Sequence, residues 1–182
     1  MAPLSYPEPP LADDVVSLRA WRDDDLAARF AAFDNPECLG FSWPLTETHK
    51  VEHQAASMRG EERRRLAGTD LHLAVTDGQN ILGGCSIYDL NPDRASAAVG
   101  YWLSPAARGR GVAARTVRLL AGWAFGHLGV QRLELTCGPD NLASQRVAER
   151  AGFTREGVLR SHLPFRGGRR DTMIFSLLPG EL

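Results

Sequence analysis

The sequence has few cysteines, no long apolar run and almost no net charge. Its three cysteines, Cys38, Cys85 and Cys137, are odd in number and far apart, and none sits in a C-x-x-C pair; neither a disulfide framework nor a zinc ribbon is indicated. Cys85 and Cys137 fall in strand-like runs and read as small core residues, although a thiol beside a thioester ligand can also react. No apolar stretch approaches the roughly 18 residues of a membrane span, and the first residues lack the charged and apolar regions of a secretory signal. A cytoplasmic protein without a membrane partner is expected. The formal net charge of −1 argues against nucleic acid as a partner, because such binders carry a strongly basic domain or face. No internal repeat, low-complexity tract or second domain is evident. With 182 residues, 43% of them hydrophobic, the chain can bury one sizeable core. Residues 15–182 are expected as a single domain, preceded by a flexible arm, 1–14, that carries prolines at 3, 7, 9 and 10 and has no core of its own.

What is present is a regular succession of strand-like and helix-like stretches. Alternation marks a strand at 15–21, and apolar groups at helical spacing mark a helix at 23–33. Its opening acids, Asp23, Asp24 and Asp25, suit a helix N-terminus electrostatically, which explains them better than metal binding. An aromatic loop, 41–45, follows, read either as the rim of a cleft or as a seal over the core. A charged helix spans about 47–66. Strands at 69–76 and 80–88 are joined by the hairpin signal Asp77-Gly78, and a strand at 97–103 feeds a glycine-rich turn. Beyond the turn, Thr116, Leu119, Leu120 and Trp123 form a helical stripe that ends near Gly126 and Gly129. A strand at 132–137, a helix at 141–151 and strands at 153–159 and 172–178 complete the chain. The order β-α-α-β-β-β-α-β-α-β-β implies an α/β fold of the mixed, α+β kind: about seven strands in one mixed sheet, with helices on both faces.

The turn between 103 and 112 is basic and glycine-rich and opens a long helix, which makes it an anion clamp. A helix leaves its first N–H groups unpaired and its dipole positive at that end. Gly109 and Gly111 let the backbone curl and approach a ligand, while Arg108 and Arg110 add charge. The ligand is therefore expected to carry phosphate. The spacing separates the candidate loops: a P-loop would need a lysine that is not there, and Gly109-Arg110-Gly111-Val112-Ala113-Ala114 fits the dinucleotide fingerprint only if Ala114 replaces its last glycine.

Arg108-x-x-Gly111-x-Ala113 directly after a strand resembles the Q/R-x-x-G-x-G/A motif of the GNAT N-acetyltransferases. Asn141-Leu-Ala-Ser144-Gln-Arg146, continuing to Gly152-Phe153 and Glu156-Gly157, resembles the second signature of that superfamily in its RimJ/RimL branch of ribosomal-protein acetyltransferases. The resemblance spans about 15–178. It implies a splayed central sheet, acetyl-CoA as cosubstrate with no metal, and a primary amine as acceptor, either a protein N-terminus or a small molecule. It further implies that pantetheine pairs with the strand edge at Tyr101, Trp102 and Leu103, an edge that would otherwise be a pairing hazard. The backbone of Arg108, Gly109, Arg110, Gly111, Val112 and Ala113 would hold the pyrophosphate, and Arg146 would reach an outer phosphate or adenosine. The assembly is left open between a monomer and a homodimer.

Acyl transfer to an amine requires a neutral amine, a donor for the developing oxyanion and a donor for the leaving thiolate. By the same resemblance Asn141 orients the cofactor arm or a water, Ser144 serves the thiolate, and a backbone N–H near Leu103 polarises the carbonyl. No tyrosine follows Asn141 to act as the acid. Where relatives carry a glutamate after the sixth strand this chain has Leu163, with His162 beside it. His162 is the first candidate base, ahead of His72, Glu134 and Asp171. Asn141 and Ser144 also read as an ordinary helix start. Three other readings stay open: a CoA-binding module without turnover, an enzyme using succinyl or another acyl donor, and a metalloprotease carrying His49-x-x-Glu52-His53 in the H-x-x-E-H pattern.

Overall fold

In the computed structural model, which describes residues 2–42, 47–165 and 167–182, the alternating runs become strands and the apolar stripes become helices. In chain order these are β1 (Leu11–Ala12), β2 (Ser17–Ala20), α1 (Leu26–Phe33), α2 (Pro36–Ser42), α3 (Val51–Ala67), β3 (Leu71–Thr76), β4 (Ile81–Asn91), β5 (Ser96–Leu103), α4 (Val112–His127), β6 (Arg132–Cys137), α5 (Leu142–Arg150), β7 (Thr154–Phe165) and β8 (Gly168–Leu177). Short 3-10 turns at Asp23–Asp25 and Pro105–Ala107 precede α1 and α4. Among the described residues the strands form one eight-stranded sheet in the order β1-β2-β3-β4-β5-β6-β8-β7. All neighbours are antiparallel except β5 and β6. The mixed sheet is as expected, and the strand beyond about seven is the two-residue β1.

Alternation fixes what each face of the sheet meets. Tyr101 and Trp102, successive on β5, point to opposite faces. The Tyr101 hydroxyl reaches Ser144 of α5 at 3.1 Å, whereas the Trp102 ring meets Phe33 of α1 edge-on, with centroids 5.1 Å apart. Helices α1 and α5 therefore cover opposite faces. On α4 the buried residues Val112, Ala113, Thr116, Val117, Leu120, Ala121, Trp123 and Ala124 form one stripe, the 3.6-residue pattern that seats a helix on a sheet.

The parallel seam is short. Only Ser96, Ala97 and Ala98 pair with Arg132, Leu133 and Glu134. Beyond them β5 runs on to Leu103 paired with β4 alone, and β6 runs on to Cys137 paired with β8 alone. A wedge thus opens between residues 99–103 and 135–137. Ser104 N–H donates to Leu82 O across β4 at 2.8 Å, so the alternation of the strand turns the N–H and C=O groups of Tyr101 and Leu103 the other way, into the wedge.

Residues 2–14 do not stand off the domain; having no core of their own, they borrow this one. Leu4 is 8% exposed and exchanges hydrogen bonds with Arg65 on α3. β1 pairs with β2, the Asp13 carboxylate accepts from the N–H groups of Val15 and Val16, and Arg115 of α4 grips Asp13 and Asp14.

Helix α2 fills residues that the sequence reading leaves without an element and runs into the start of the expected loop at 41. Its cap is ordinary: Asn35 Oδ1 accepts from Cys38 N–H at 3.2 Å, with Pro36 as the first helical residue. Phe41 belongs to this helix, while residues 43–45 of the expected aromatic loop lie outside the described residues. Helix α3 begins at Val51 rather than near 47, where His53 Nδ1 accepts from the N–H of Lys50 at 3.0 Å.

Candidate functional site

The strand β5 stops at Ser104-Pro105, and the chain turns through Gly109 and Gly111 at φ +72° and +77° before α4 starts. An L side chain is strained at such angles, and here the angle rather than crowding selects glycine, since a Cβ at either position would meet nothing within 4 Å. The turn leaves a row of donors. Ala107 N–H bonds Ser104 O, Arg108 N–H bonds Pro105 O, and the next paired amide is Arg115, bonded to Gly111 O. The N–H groups of residues 109–114 between them have no acceptor among the described residues. Consecutive free N–H groups at the positive end of a sixteen-residue helix form an anion cradle.

A cavity of about 480 Å³ joins this cradle to the wedge. It is lined by Tyr101, Trp102 and Leu103 of β5, by Arg108, Gly109, Gly111, Val112 and Ala113 of the turn and α4, and by Asn141, Ser144 and Arg146 at the start of α5. These are eleven of the twelve residues expected to bind the cofactor; the remaining one, Arg110, is exposed and does not line the cavity. The lining also includes Phe41, of the aromatic stretch read as cleft rim or core seal, Val147 and Arg150, inside the second motif but given no role, and Glu37 and Cys38 of α2, which the sequence does not single out. Arg150 had a signal, since it repeats Arg146 one helical turn on.

Within the site the sequence reading of Arg108 is corrected. Its guanidinium does not add charge to the cradle but turns toward α2. Nη1 meets Glu37 Oε2 at 2.5 Å and Nη2 meets Asn35 Oδ1 at 2.9 Å, while Nε and Nη2 both donate to Leu103 O. Cys38 Sγ adds a contact to the same carbonyl. Five donors in a planar fork suit this convergence. The cradle is thus built from backbone, and Arg108 fixes the end of β5 to α2. With its carbonyl taken by Arg108, Leu103 presents its N–H to the wedge.

On α5, Asn141 Oδ1 accepts from Ser144 N–H at 3.0 Å, which makes Asn141 the helix cap. Ser144 is left with a hydroxyl facing Tyr101 on β5 and the thiol of Cys137 at the end of β6. Burial pushes the Tyr101 phenol up to about 12 and raises the Cys137 thiol as well. Both groups therefore stay protonated through the neutral range.

The candidate bases lie elsewhere. His162 is exposed on β7, does not line the cavity, and its carbonyl accepts from Arg169. His72 is 3.8 Å from Glu61 and 3.7 Å from Asp70, and burial lowers its affinity for a proton. Glu134 is bound by Arg132, and Asp171 accepts from Ser161 N–H. Nor does the H-x-x-E-H pattern put two histidines on one helical turn. His49 precedes α3, with Nδ1 at 3.2 Å from Asp34 and Nε2 at 3.1 Å from Gln54, and His53 Nδ1 is engaged by the start of α3.

Residues 16–154 match the family model described as an acetyltransferase (GNAT) domain. The uncharacterized N-acetyltransferase YoaA of Bacillus subtilis is 29% identical over 176 residues, 93% of this chain and 97% of that protein. The ribosomal-protein-serine acetyltransferase of Escherichia coli is 30% identical over 119 residues, 65% of this chain and 66% of its own length. Among solved structures, Mycobacterium smegmatis RimJ in complex with CoA-disulfide matches with a TM-score of 0.84 at 26% identity, covering all of this chain and 88% of that one. The microcin self-immunity acetyltransferase MccE, solved with acetyl-CoA and AMP, matches with a TM-score of 0.82 at 22% identity, covering 91% and 93% of the two chains. No helix among the described residues is long and apolar enough to cross a membrane.

Proposed function

The chain belongs to the GNAT acetyltransferase family, and from that premise we propose that it transfers an acetyl group from acetyl-CoA to a primary amine by direct attack on the thioester. The observation that carries this reading is the meeting, in one cavity, of the free N–H groups of residues 109–114 with the wedge beside Tyr101 and Leu103. The cradle suits a diphosphate, and the wedge suits a ligand arm that carries amide groups and can pair with a strand edge. RimJ, the relative solved with CoA-disulfide, supports the same ligand chemistry here.

Each residue then has a defined task. The amides of residues 109–114 hold the pyrophosphate, and Arg146 and Arg150 face the charged outer end of the carrier. Tyr101 pairs with pantetheine through its backbone N–H and C=O, and the Leu103 N–H donates to the thioester oxygen as it gains charge. The Ser144 hydroxyl donates to the departing sulfur. Asn141 acts through Ser144, by fixing the first turn of α5. The amine enters neutral and loses its second proton to solvent at the cavity mouth, so no base is assigned to His162. The acceptor is a protein N-terminus or a small amine; the Escherichia coli relative named for a ribosomal-protein serine favours the first.

The test is thiol release from acetyl-CoA in the presence of a panel of N-terminal peptides and small amines, with the product identified by mass spectrometry. Acetylation of a free α-amine is expected. Coenzyme A affinity without turnover on any amine would reduce the protein to a binding module.

A further inference from the structure

We infer that Tyr101 is a positioning residue for acyl transfer: by donating its phenolic hydrogen bond to Ser144 it directs the serine's own hydrogen toward the departing sulfur. The inference rests on the reading above that Ser144 faces the thioester. It goes beyond that reading because Tyr101 lies on β5, away from the helix that carries the second motif, and its expected part was to bind the carrier through its strand edge.

The argument is one of hydrogen-bond accounting. A serine hydroxyl has one hydrogen to give and two lone pairs to offer. At Ser144 the capping role is already filled by Asn141, so the hydroxyl is not occupied at the helix end. Tyr101, with its ring set by β5 between α5 and the wedge, donates to Ser144 Oγ at 3.1 Å. With a lone pair so engaged, the serine keeps its one hydrogen for another acceptor. Tyr101 and Ser144 line the same cavity, and on the proposed reading the acceptor that the hydrogen meets there is the sulfur of the bound thioester. A polarised hydroxyl chain is a stronger donor than a lone hydroxyl.

In the transfer step the amine nitrogen forms a bond to the acetyl carbon and the carbon–sulfur bond breaks. The electron pair goes to sulfur, and the proton lost by nitrogen goes to solvent. The sulfur leaves as a thiolate held by Ser144 O–H, which Tyr101 O–H supports, and takes a proton from water on release. Neither hydroxyl is deprotonated.

The experiment is a double-mutant cycle of Tyr101→Phe and Ser144→Ala, with kcat and KM for acetyl-CoA measured at saturating amine and thermal unfolding as a control for folding. Tyr101→Phe keeps the ring and is expected to lower kcat by about three- to tenfold, the effect of one hydrogen bond between neutral groups, with KM for acetyl-CoA within about twofold. In the Ser144→Ala background the same change is expected to have no further effect, since its route is gone. A full effect of Tyr101→Phe on top of Ser144→Ala, or none in either background, overturns the positioning role while leaving the part of Ser144 intact. Wild-type turnover in Ser144→Ala removes the serine from the reaction, and the role of Tyr101 with it.

Discussion

At the scale of single residues, the ion pairs separate by burial. Arg29 and Glu61 are both buried and meet in a two-pronged contact at 2.6 and 2.8 Å. Gln54 accepts from Arg29, Ser57 donates to Glu61, and Trp21 lies under the guanidinium at 4.5 Å. Arg29→Met would strand a buried carboxylate and is expected to cost about 3–5 kcal/mol of unfolding free energy. Urea titration would check this, and adding Glu61→Leu is expected to restore most of the loss. Glu156 is the contrasting case. Its carboxylate holds Arg132 of β6 and accepts from Ser176 of β8, so it ties three strands together at the surface. Arg132 pulls it from 4.5 to about 2. The folded state therefore binds this proton less readily than the unfolded chain, and the stabilisation is present above pH 4.5 and lost as pH falls through about 2. The Glu156→Gln variant is expected to melt below the wild type at pH 7 and level with it near pH 2. Sequence alone marks both glutamates as charged but does not show that one is buried and the other bridges strands, because the partners are distant in the chain.

At the scale of elements, those that build the cavity are well marked in sequence, except for α2. β5, α4, β6 and α5 carry clean alternation or apolar stripes and are bounded by glycine, proline or an asparagine cap, so their positions could be read to within a few residues. Helix α2 is not legible in the sequence although Asn35-Pro36 is a regular start, because a segment of seven residues is too short to display a period. The sequence gives too short a hairpin for β7 and β8 because the charged run Arg169-Arg170-Asp171 interrupts the apolar pattern. The error over Arg108 was one of direction, since a motif names an arginine but not where its guanidinium points. This leads to a prediction about α2: Arg108→Lys keeps the charge but loses the fork. It is expected to lower stability by about 1–3 kcal/mol and to change coenzyme A affinity less than Gly111→Val, which distorts the cradle itself. Calorimetric titration and thermal melts on the two variants would separate these effects. Between β4 and β5, a Cβ on Gly84 would come within 2.6 Å of the Trp102 indole. Gly84→Ala is expected to push that ring off Phe33 and Trp21 and to cost about 1–3 kcal/mol, visible as a change in tryptophan fluorescence.

At the scale of the whole molecule, the splayed sheet was implied by family resemblance and not by pattern, because the register of a parallel pair leaves no trace in local periodicity. The structure locates the splay: three residues of β5 hold three residues of β6, and all other pairing lies to one side or the other. Hydrogen exchange would report on this arrangement. The Leu103 amide, turned into the wedge, is expected to exchange faster than that of Trp102, which faces β4, and to become protected when coenzyme A is added. The short seam also gives any ligand bound across it a mechanical part. A ligand that spans the gap ties two half-sheets together as a keystone does, so occupancy and rigidity rise as one quantity. At a hundredfold excess over its dissociation constant such a ligand adds about 2.7 kcal/mol, so the endurance of the protein is expected to follow the supply of whatever molecule fills the gap.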